Sequence, residues 1–431
     1  MTGVAQSGTE RIVGVDEIRA QFPALERTHD GFPVAYFDGP GGTQVPRSVV
    51  AAMDDYLFNH NANTHWRYPT SEETDELIAR SREALADFVF GRPDEIVFGQ
   101  NMTTLTFHVA RAIGRELGKG DEIVITELDH HGNVAPWRAL EKERGVTVRM
   151  VQMNLEDGTL DWQHYQAVLS PHTKVVAIGA ASNALGTITG INQASKLARA
   201  ASPDVRVFVD AVHYAPHRPV DVKLFDCDFV AMSAYKFYGP HIGVLWGKRA
   251  AIEALDAPRL DPAPQESPER LETGTQNHEG IVGAAAAVDF IASLAIDQRS
   301  GPSGIVGLQS RRGYVMEAIR ALEERNAKLF EKLWFSLLDI RGVRLYGPQP
   351  GPARTPTLSF TLHGRSTDDV AIALARRGVF VSNGDFYAAT IAERYGVGAG
   401  GFVRAGCSCY TTEEEIDRLI DGVHHIAAGR A

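Results

Sequence analysis

Between about residues 72 and 300 the chain alternates short apolar runs with stretches of helical length, and this alternation restricts the fold more than any other feature. The runs are 95–98, 122–126, 146–150, 174–178, 205–209, 229–233 and 243–246, with helical segments such as 76–90 and 192–201 between them. Their apolar character is nearly continuous, as expected of strands covered on both faces, and helical connections join strands that run parallel. The pattern therefore predicts an α/β fold: a large domain with a mostly parallel seven-stranded sheet between helices. In such sheets ligands bind beyond the carboxyl ends of the strands. Polar residues cluster at those ends, in 100–104, 127–131, 182–183, 210–213 and 233–236, so one crevice can collect them.

Past about residue 300 the pattern changes to a long helix over 310–335, short strands at 356–362 and 402–407, and a last helix opened by a capping box at Thr412-Glu-Glu-Glu415. This predicts a smaller α+β domain. The expected division is 1–30, an N-terminal segment with a short helix at 15–28 that packs with the small domain; 31–300, the large ligand-binding domain; and 301–431, the small C-terminal domain. Residues 257–270 read as a proline-rich surface loop. The segment 280–295 is the nearest approach to a membrane span, but Asp289 interrupts it and small residues dominate, so it reads as a buried helix.

A net charge of -11 gives no general attraction to nucleic acid or to an anionic membrane, and neither is expected as a partner. Three cysteines, Cys227, Cys407 and Cys409, form no disulfide framework and no usual metal spacing. The N-terminus is polar and lacks a secretory core. Together these predict a cytoplasmic protein.

Lys236 follows one apolar run and precedes a Gly-Pro turn, and Asp210 ends another run 26 residues earlier. A lysine at the end of a buried strand is partly desolvated, which favours the neutral amine needed for a Schiff base. An acid at a second strand end can keep a pyridine nitrogen protonated. The pair suggests pyridoxal 5'-phosphate as cofactor. Thr103 and Thr104 follow a strand and open a helix, where free N–H groups favour a phosphate; helix capping is the alternative. The segment 36–43 reads as a strand entering a glycine turn, either a plain turn or a point of close approach to a ligand. Asp129, His130 and His131 would be the only metal candidates, but consecutive residues rarely ligate one ion, and no metal is expected.

Five segments carry a family resemblance: Asp129-His-His-Gly-Asn-Val-Ala-Pro-Trp137, Ser182-Asn-Ala-Leu-Gly-Thr187, Asp210-Ala-Val-His213, Ser233-Ala-Tyr-Lys-Phe-Tyr-Gly-Pro240 and Glu272-Thr-Gly-Thr-Gln-Asn277. In this order, over about residues 36–422, they resemble the class V aminotransferases of the fold type I pyridoxal phosphate enzymes, closest to the cysteine desulfurase-like branch. The resemblance implies that Lys236 holds the cofactor and shuttles the Cα proton, that Asp210 pairs with the ring nitrogen, and that His130 stacks on the ring and assists proton transfer. It implies phosphate contacts from Ser233 and from Tyr235, which stands where the branch usually has histidine. Thr275 matches a threonine that reaches the neighbouring subunit's phosphate, so a homodimer is implied. His213 stands where glutamine is usual beside the phenolic oxygen, as an imidazole able to titrate near neutral pH. Asn183 matches an asparagine near that oxygen and the substrate carboxylate, and Arg404 matches the carboxylate clamp of a small amino-acid substrate.

One departure matters. Desulfurases of this branch carry a sulfur-accepting cysteine in a loop ahead of the clamp arginine, and the corresponding stretch 377–396 contains none. Cys407 and Cys409 lie beyond Arg404 in the same strand on its opposite face, and nothing near Cys227 would activate it. The first expectation is therefore C–S bond cleavage by β-elimination from cysteine or a cysteine derivative. An aminotransferase or amino-acid epimerase is the alternative, ahead of a persulfide-forming desulfurase and of a non-enzymatic binding protein. The loop 382–401 is expected to contact the substrate side chain.

Overall fold

The computed structural model describes residues 11–296 and 310–429. Seven strands form the large sheet: β1 (Ile96–Gly99), β2 (Glu122–Thr126), β3 (Thr147–Val151), β4 (Thr173–Gly179), β5 (Arg206–Asp210), β6 (Phe229–Ser233) and β7 (Gly243–Gly247). Their spatial order is β1-β7-β6-β5-β4-β2-β3. Every pairing from β6 to β3 is parallel, while β7 runs antiparallel to both its neighbours. The expected mostly parallel sheet between helices is thus present.

The near-continuous apolar strands have the predicted cause. On one face Val97, Ile123, Val175, Phe208, Phe229 and Leu245 pack with the helices Met102–Gly114 and Ala135–Arg144. On the other face their alternates, including Phe98, Val124, Val176, Val207, Val230 and Val244, join a core that includes Leu85 and Phe88 of Pro69–Val89 and Ile281 and Val288 of His278–Ser293. A strand alternates its side chains, so burial on both faces leaves no room for a polar register. Most of segment 280–295 falls within His278–Ser293, and among the described residues no helix is long and apolar enough to cross a membrane.

The smaller sheet contains β8 (Val343–Tyr346), β9 (Thr357–Leu362), β10 (Ser382–Gly384) and β11 (Phe402–Gly406), all antiparallel in the order β8-β9-β11-β10. Its covered face packs on Phe330, Leu333 and Trp334 of the helix Arg311–Leu338 and on Leu419 and Val423 of Glu413–Ala427. The capping box joins Thr412 and Glu415 as expected.

Two N-terminal pieces tie into this unit. Ala35–Tyr36 pairs parallel with Val379–Phe380, and Arg19 of the helix Val15–Arg19 donates to Glu415 Oε1 at 2.9 Å. The helix expected over 15–28 is only those five residues, followed by a separate turn at Pro23–Glu26, because Pro23 interrupts the hydrogen-bond ladder.

Candidate active site

The carboxyl ends of β1, β2, β4, β5 and β6 and the start of antiparallel β7 open on one edge of the sheet, and the uncovered face of the smaller sheet closes over it. Asp210 is the last residue of β5. Its Oδ1 accepts the Val212 N–H at 2.9 Å, and loss of hydration pushes its pKa up to about 7, with the Asp129 carboxylate adding to the rise and Lys236 opposing it.

Lys236 ends the one-turn helix Ala234–Lys236 directly after β6. Its Nζ donates to the carbonyls of Pro40 at 2.5 Å and Gly41 at 3.0 Å and lies 5.0 Å from the centre of the Tyr235 ring. Burial is the main cause that lowers its pKa to about 7, followed by the Arg404 charge, so much of the amine is neutral near pH 7.

His130 precedes a short turn, and its Nδ1 accepts the Gly132 N–H at 2.9 Å, which puts the proton of the neutral ring on Nε2. Burial first, then Lys236, holds its pKa near 4. The segment after β10 docks here: the His131 N–H donates to Tyr387 O at 2.7 Å, and Asn183 Nδ2 donates to Phe386 O at 2.9 Å. The backbone bond from His131 fixes this segment against the histidine, and the Tyr387 ring sits 5.5 Å from that of His130.

Arg404 sits mid-strand in β11, between Ser359 of β9 and Ser382 of β10, while its neighbours Val403 and Ala405 face the small-domain core. The small serines leave the guanidinium room to turn toward the large domain. Its Nη1 donates to Asn183 O at 2.9 Å, and its Cζ lies 3.9 Å from the Phe386 ring centre. Burial lowers its pKa to about 9, and it forms no ion pair among the described residues. Three buried polar atoms here, Asp38 Oδ1, Asn183 Oδ1 and Arg404 Nε, have no hydrogen-bond partner among the described residues. Buried groups of this kind carry a desolvation cost that a bound polar ligand would offset.

The fold brings Lys236, Asp210, His130, Asn183, Ser233, Tyr235 and Arg404 to one crevice. Ser233 Oγ accepts the Met102 N–H at 3.0 Å, which leaves its own proton to donate. Tyr235 stacks on His241 with ring centres 4.8 Å apart. Thr103 packs against Gly132, where an added Cβ would fall 2.8 Å from Thr103 Oγ1.

Several expectations need correction. Thr104 is committed to the helix cap: its N–H donates to Asn101 Oδ1, and its hydroxyl bonds both the N–H and the carbonyl of Asn101. His213 does not titrate near neutral pH. It is buried, its Nε2 lies 3.1 Å from Thr355 Oγ1, and burial holds its pKa well below the usual value. The stretch 382–401 is not a plain loop, since it contains β10 and the helix Ala389–Arg394. The strand of Arg404 ends at Gly406, so Cys407 and Cys409 lie just beyond it. All three cysteines are buried, and burial raises each thiol pKa, to about 12 for Cys407 and Cys409. Thr275 is exposed and borders a cleft with Thr104 and His108.

Two site residues were missed. Asp38 has its pKa raised by burial and lies within reach of the Arg404 and Lys236 charges. Its signal was present, because it ends an apolar run before the glycine turn, just as Asp210 ends β5. Phe386 gave no signal: it reaches Arg404 because residues 386 and 387 both adopt positive φ, at 58° and 57°.

The aminotransferase class-V family model matches residues 35–302 and 300–419. The chain belongs to this family. It is a pyridoxal phosphate-dependent enzyme. A cysteine desulfurase of Dickeya dadantii is 31% identical over 433 residues, covering 96% of each chain. A probable cysteine desulfurase of Streptomyces coelicolor is 31% identical over 435 residues, covering 96% of this chain and 97% of its own. Among solved structures, the apo cysteine desulfurase of Thermococcus onnurineus matches with TM-score 0.85 at 27% identity, over 97% of this chain and 99% of that one. A cysteine desulfurase of Escherichia coli matches with TM-score 0.81 at 26% identity and the same coverage. The fold is that of the type I enzymes, in the cysteine desulfurase-like branch.

Proposed function

We propose that this enzyme cleaves the C–S bond of cysteine or a cysteine derivative by β-elimination, with the cofactor held on Lys236. The observation that carries the reading is a buried, unpaired Arg404 facing the Lys236 and Asp210 pair in a site whose chain supplies no accessible thiol. The relatives' names support sulfur chemistry on cysteine.

Pyridoxal phosphate, when bound, supplies an electron sink that makes the substrate Cα–H bond acidic. Asp210 would keep the ring nitrogen protonated, its burial strengthening the pairing. The cofactor phosphate would take the Ser233 hydroxyl, Tyr235 and the helix start at Thr103, where the dipole favours an anion. His130 would cover the ring, and His213 and Asn183 would line the side of its phenolic oxygen. Arg404 would grip the α-carboxylate with a planar fork, leaving Cα oriented toward Lys236. Lys236 Nζ would remove the Cα proton. The C–S bond breaks with its electron pair leaving on sulfur, and with water the net products from cysteine are pyruvate, ammonia and hydrogen sulfide.

We include a homodimer in the proposal. Exposed Thr275 suits a contact to a neighbouring phosphate, and exposed Leu57, Phe58, Trp66 and Tyr68 offer apolar surface for a partner copy. A cytoplasmic location accords with the net charge of -11 and three free thiols.

The relatives' names favour a second reading, desulfuration to alanine with the sulfur passed to a thiol from outside the chain. Incubating holoenzyme with cysteine, cystine and cysteine S-conjugates separates them. Pyruvate with ammonia supports elimination, alanine with persulfide replaces it by desulfuration, and a keto acid with the pyridoxamine form of the cofactor replaces it by transamination. Borohydride trapping followed by peptide mapping should label Lys236, and a label elsewhere overturns the site.

A further inference from the structure

The glycine turn after Ala35–Tyr36 lies between the two buried cations of the site, Lys236 and Arg404, and the proposed reaction gives it no role. Phe37 O accepts the Gly406 N–H at 2.9 Å and Asp38 forms a parallel bridge with Gly406, which anchors the turn two residues past Arg404. At its other end the Thr43 N–H donates to Tyr235 O at 3.0 Å, beside Lys236. Between these anchors the N–H groups of Gly41 and Gly42 both donate to Asp38 O, at 2.6 and 3.3 Å. The carbonyls of Pro40 and Gly41 remain free for a donor from outside the turn, and both accept Lys236 Nζ. A Cβ on Gly41 would stand 3.5 Å from Arg404 Nη2 and 3.6 Å from Ser382 Oγ, so the same glycine also faces the clamp.

Two acceptors on one nitrogen suit an ammonium, which only donates. Asp38, at the start of the turn, supplies charge of the opposite sign. Its Oδ1 has no hydrogen-bond partner among the described residues. Burial raises its pKa, and its own backbone N–H, then the Arg404 and Lys236 charges, oppose the rise. Tyr36 and Tyr410 also feel this carboxylate, but burial raises both phenols and keeps them neutral. His130 and His213, which feel the Lys236 charge, are held neutral by burial. Asp210 is another acid acting on Lys236, and the proposed function commits it to the ring nitrogen, as it commits Arg404 to the substrate carboxylate. Asp38 is then left to balance a charge on Lys236.

We infer that this turn is the seat of Lys236 whenever its nitrogen is free of the cofactor. The Pro40 and Gly41 carbonyls orient Nζ, and Asp38 is a positioning residue that acts through its charge to favour the ammonium formed when Nζ takes the Cα proton. In that step the electron pair of the Cα–H bond passes to the cofactor's sink and the proton becomes the third N–H of Lys236. It leaves with the departing sulfur or to water when Nζ rejoins the cofactor. The inference rests on proton removal by Lys236 in the proposed function, and not on which bond breaks next.

Asp38→Asn keeps the shape and removes the charge. In the apoprotein, the pH dependence of reductive methylation at Lys236, read by peptide mapping, gives the amine's pKa, about 7 in the parent. That pKa should fall in Asp38→Asn and return toward the parent value in Asp38→Glu. In the holoenzyme, exchange of the alanine Cα proton in deuterium oxide reads proton transfer with no sulfur to expel. The acid limb of the exchange profile should move to lower pH in Asp38→Asn, because a weaker base is free at lower pH. Its plateau should fall about tenfold, because a weaker base takes the proton less readily. A Lys236 pKa that Asp38→Asn leaves unmoved, or a plateau within threefold of the parent, overturns the inference. Alanine exchange that meets these expectations without any C–S cleavage supports it and sinks the cleavage reading, so the two failures are distinguishable.

Discussion

Replacing Arg404 with leucine should separate activity from stability, because the guanidinium serves the substrate and costs the empty fold. Its pKa falls from 12.5 to about 9 on burial, and at about 1.36 kcal/mol per unit that is a penalty on the order of 5 kcal/mol. The sign follows from proton counting. Between about pH 9 and 12.5 the unfolded chain holds the proton more tightly, so the penalty is complete below pH 9 and fades above it. Leucine removes that penalty but also loses the hydrogen bond to Asn183 O and the stacking on Phe386, together roughly 2–3 kcal/mol. A net gain of about 2 kcal/mol in the apoprotein, or a Tm rise of roughly 2 °C for a chain this long, is expected at pH 7. Activity moves oppositely. Stripping the partner from a buried carboxylate costs about 3–5 kcal/mol, so kcat/KM should fall by roughly two to four orders of magnitude. Steady-state kinetics of the holoenzyme and calorimetric melting of the apoprotein measure the two effects. A kcat/KM within tenfold of the parent refutes the clamp, and a Tm lowered by several degrees refutes the claim that the charge is a burden on the empty site.

The Lys236 and Asp210 shifts predict an apoprotein whose stability contribution from this pair is lowest near pH 7. Asp210, raised from 3.8 to about 7, contributes stability that is lost as pH rises through that window, and Lys236, lowered from 10.5 to about 7, restores stability as pH rises above it. Chemical denaturation from pH 4 to 10 should show Asp210→Asn flattening the acid limb and Lys236→Met the alkaline limb; unchanged limbs would contradict the shifts. Changing Cys227, Cys407 and Cys409 together to alanine should lower stability by about 1 kcal/mol per site and leave C–S cleavage within threefold of the parent, whereas loss of turnover in a folded variant would show that a chain thiol takes part. Phe386→Ala should raise KM by about three- to tenfold with little change in kcat, since it removes the surface that orients Arg404; an unchanged KM would leave that contact without a role in substrate binding.

The large sheet was legible because the signal is local. Runs such as 122–126 and 229–233 coincide with β2 and β6, since a strand buried on both faces must be apolar throughout. Lys236 and Asp210 were legible for a related reason: a charge placed directly after such a run has no solvent-facing register to explain it. Thr104 misled because a phosphate site and a helix cap ask for the same residue at the same place, and only the geometry shows that both its N–H and its hydroxyl are spent on Asn101. His213 misled because a residue type carries an ordinary pKa, whereas its enclosure sets the actual one.

What the amino-acid order determined by itself was the alternation of strand and helix, and with it a sheet edge on which Asp210, Ser233 and Lys236 must appear. Tertiary structure alone decided what faces that edge. Asp38, Arg404 and Phe386 lie far from Lys236 along the chain, and Asn183 meets Phe386 across 203 residues. Hydropathy reports whether a segment is buried but carries no information about which distant segment covers it. That pairing, together with the enclosure that shifts each ionisable group, arises only when the smaller sheet closes over the strand ends.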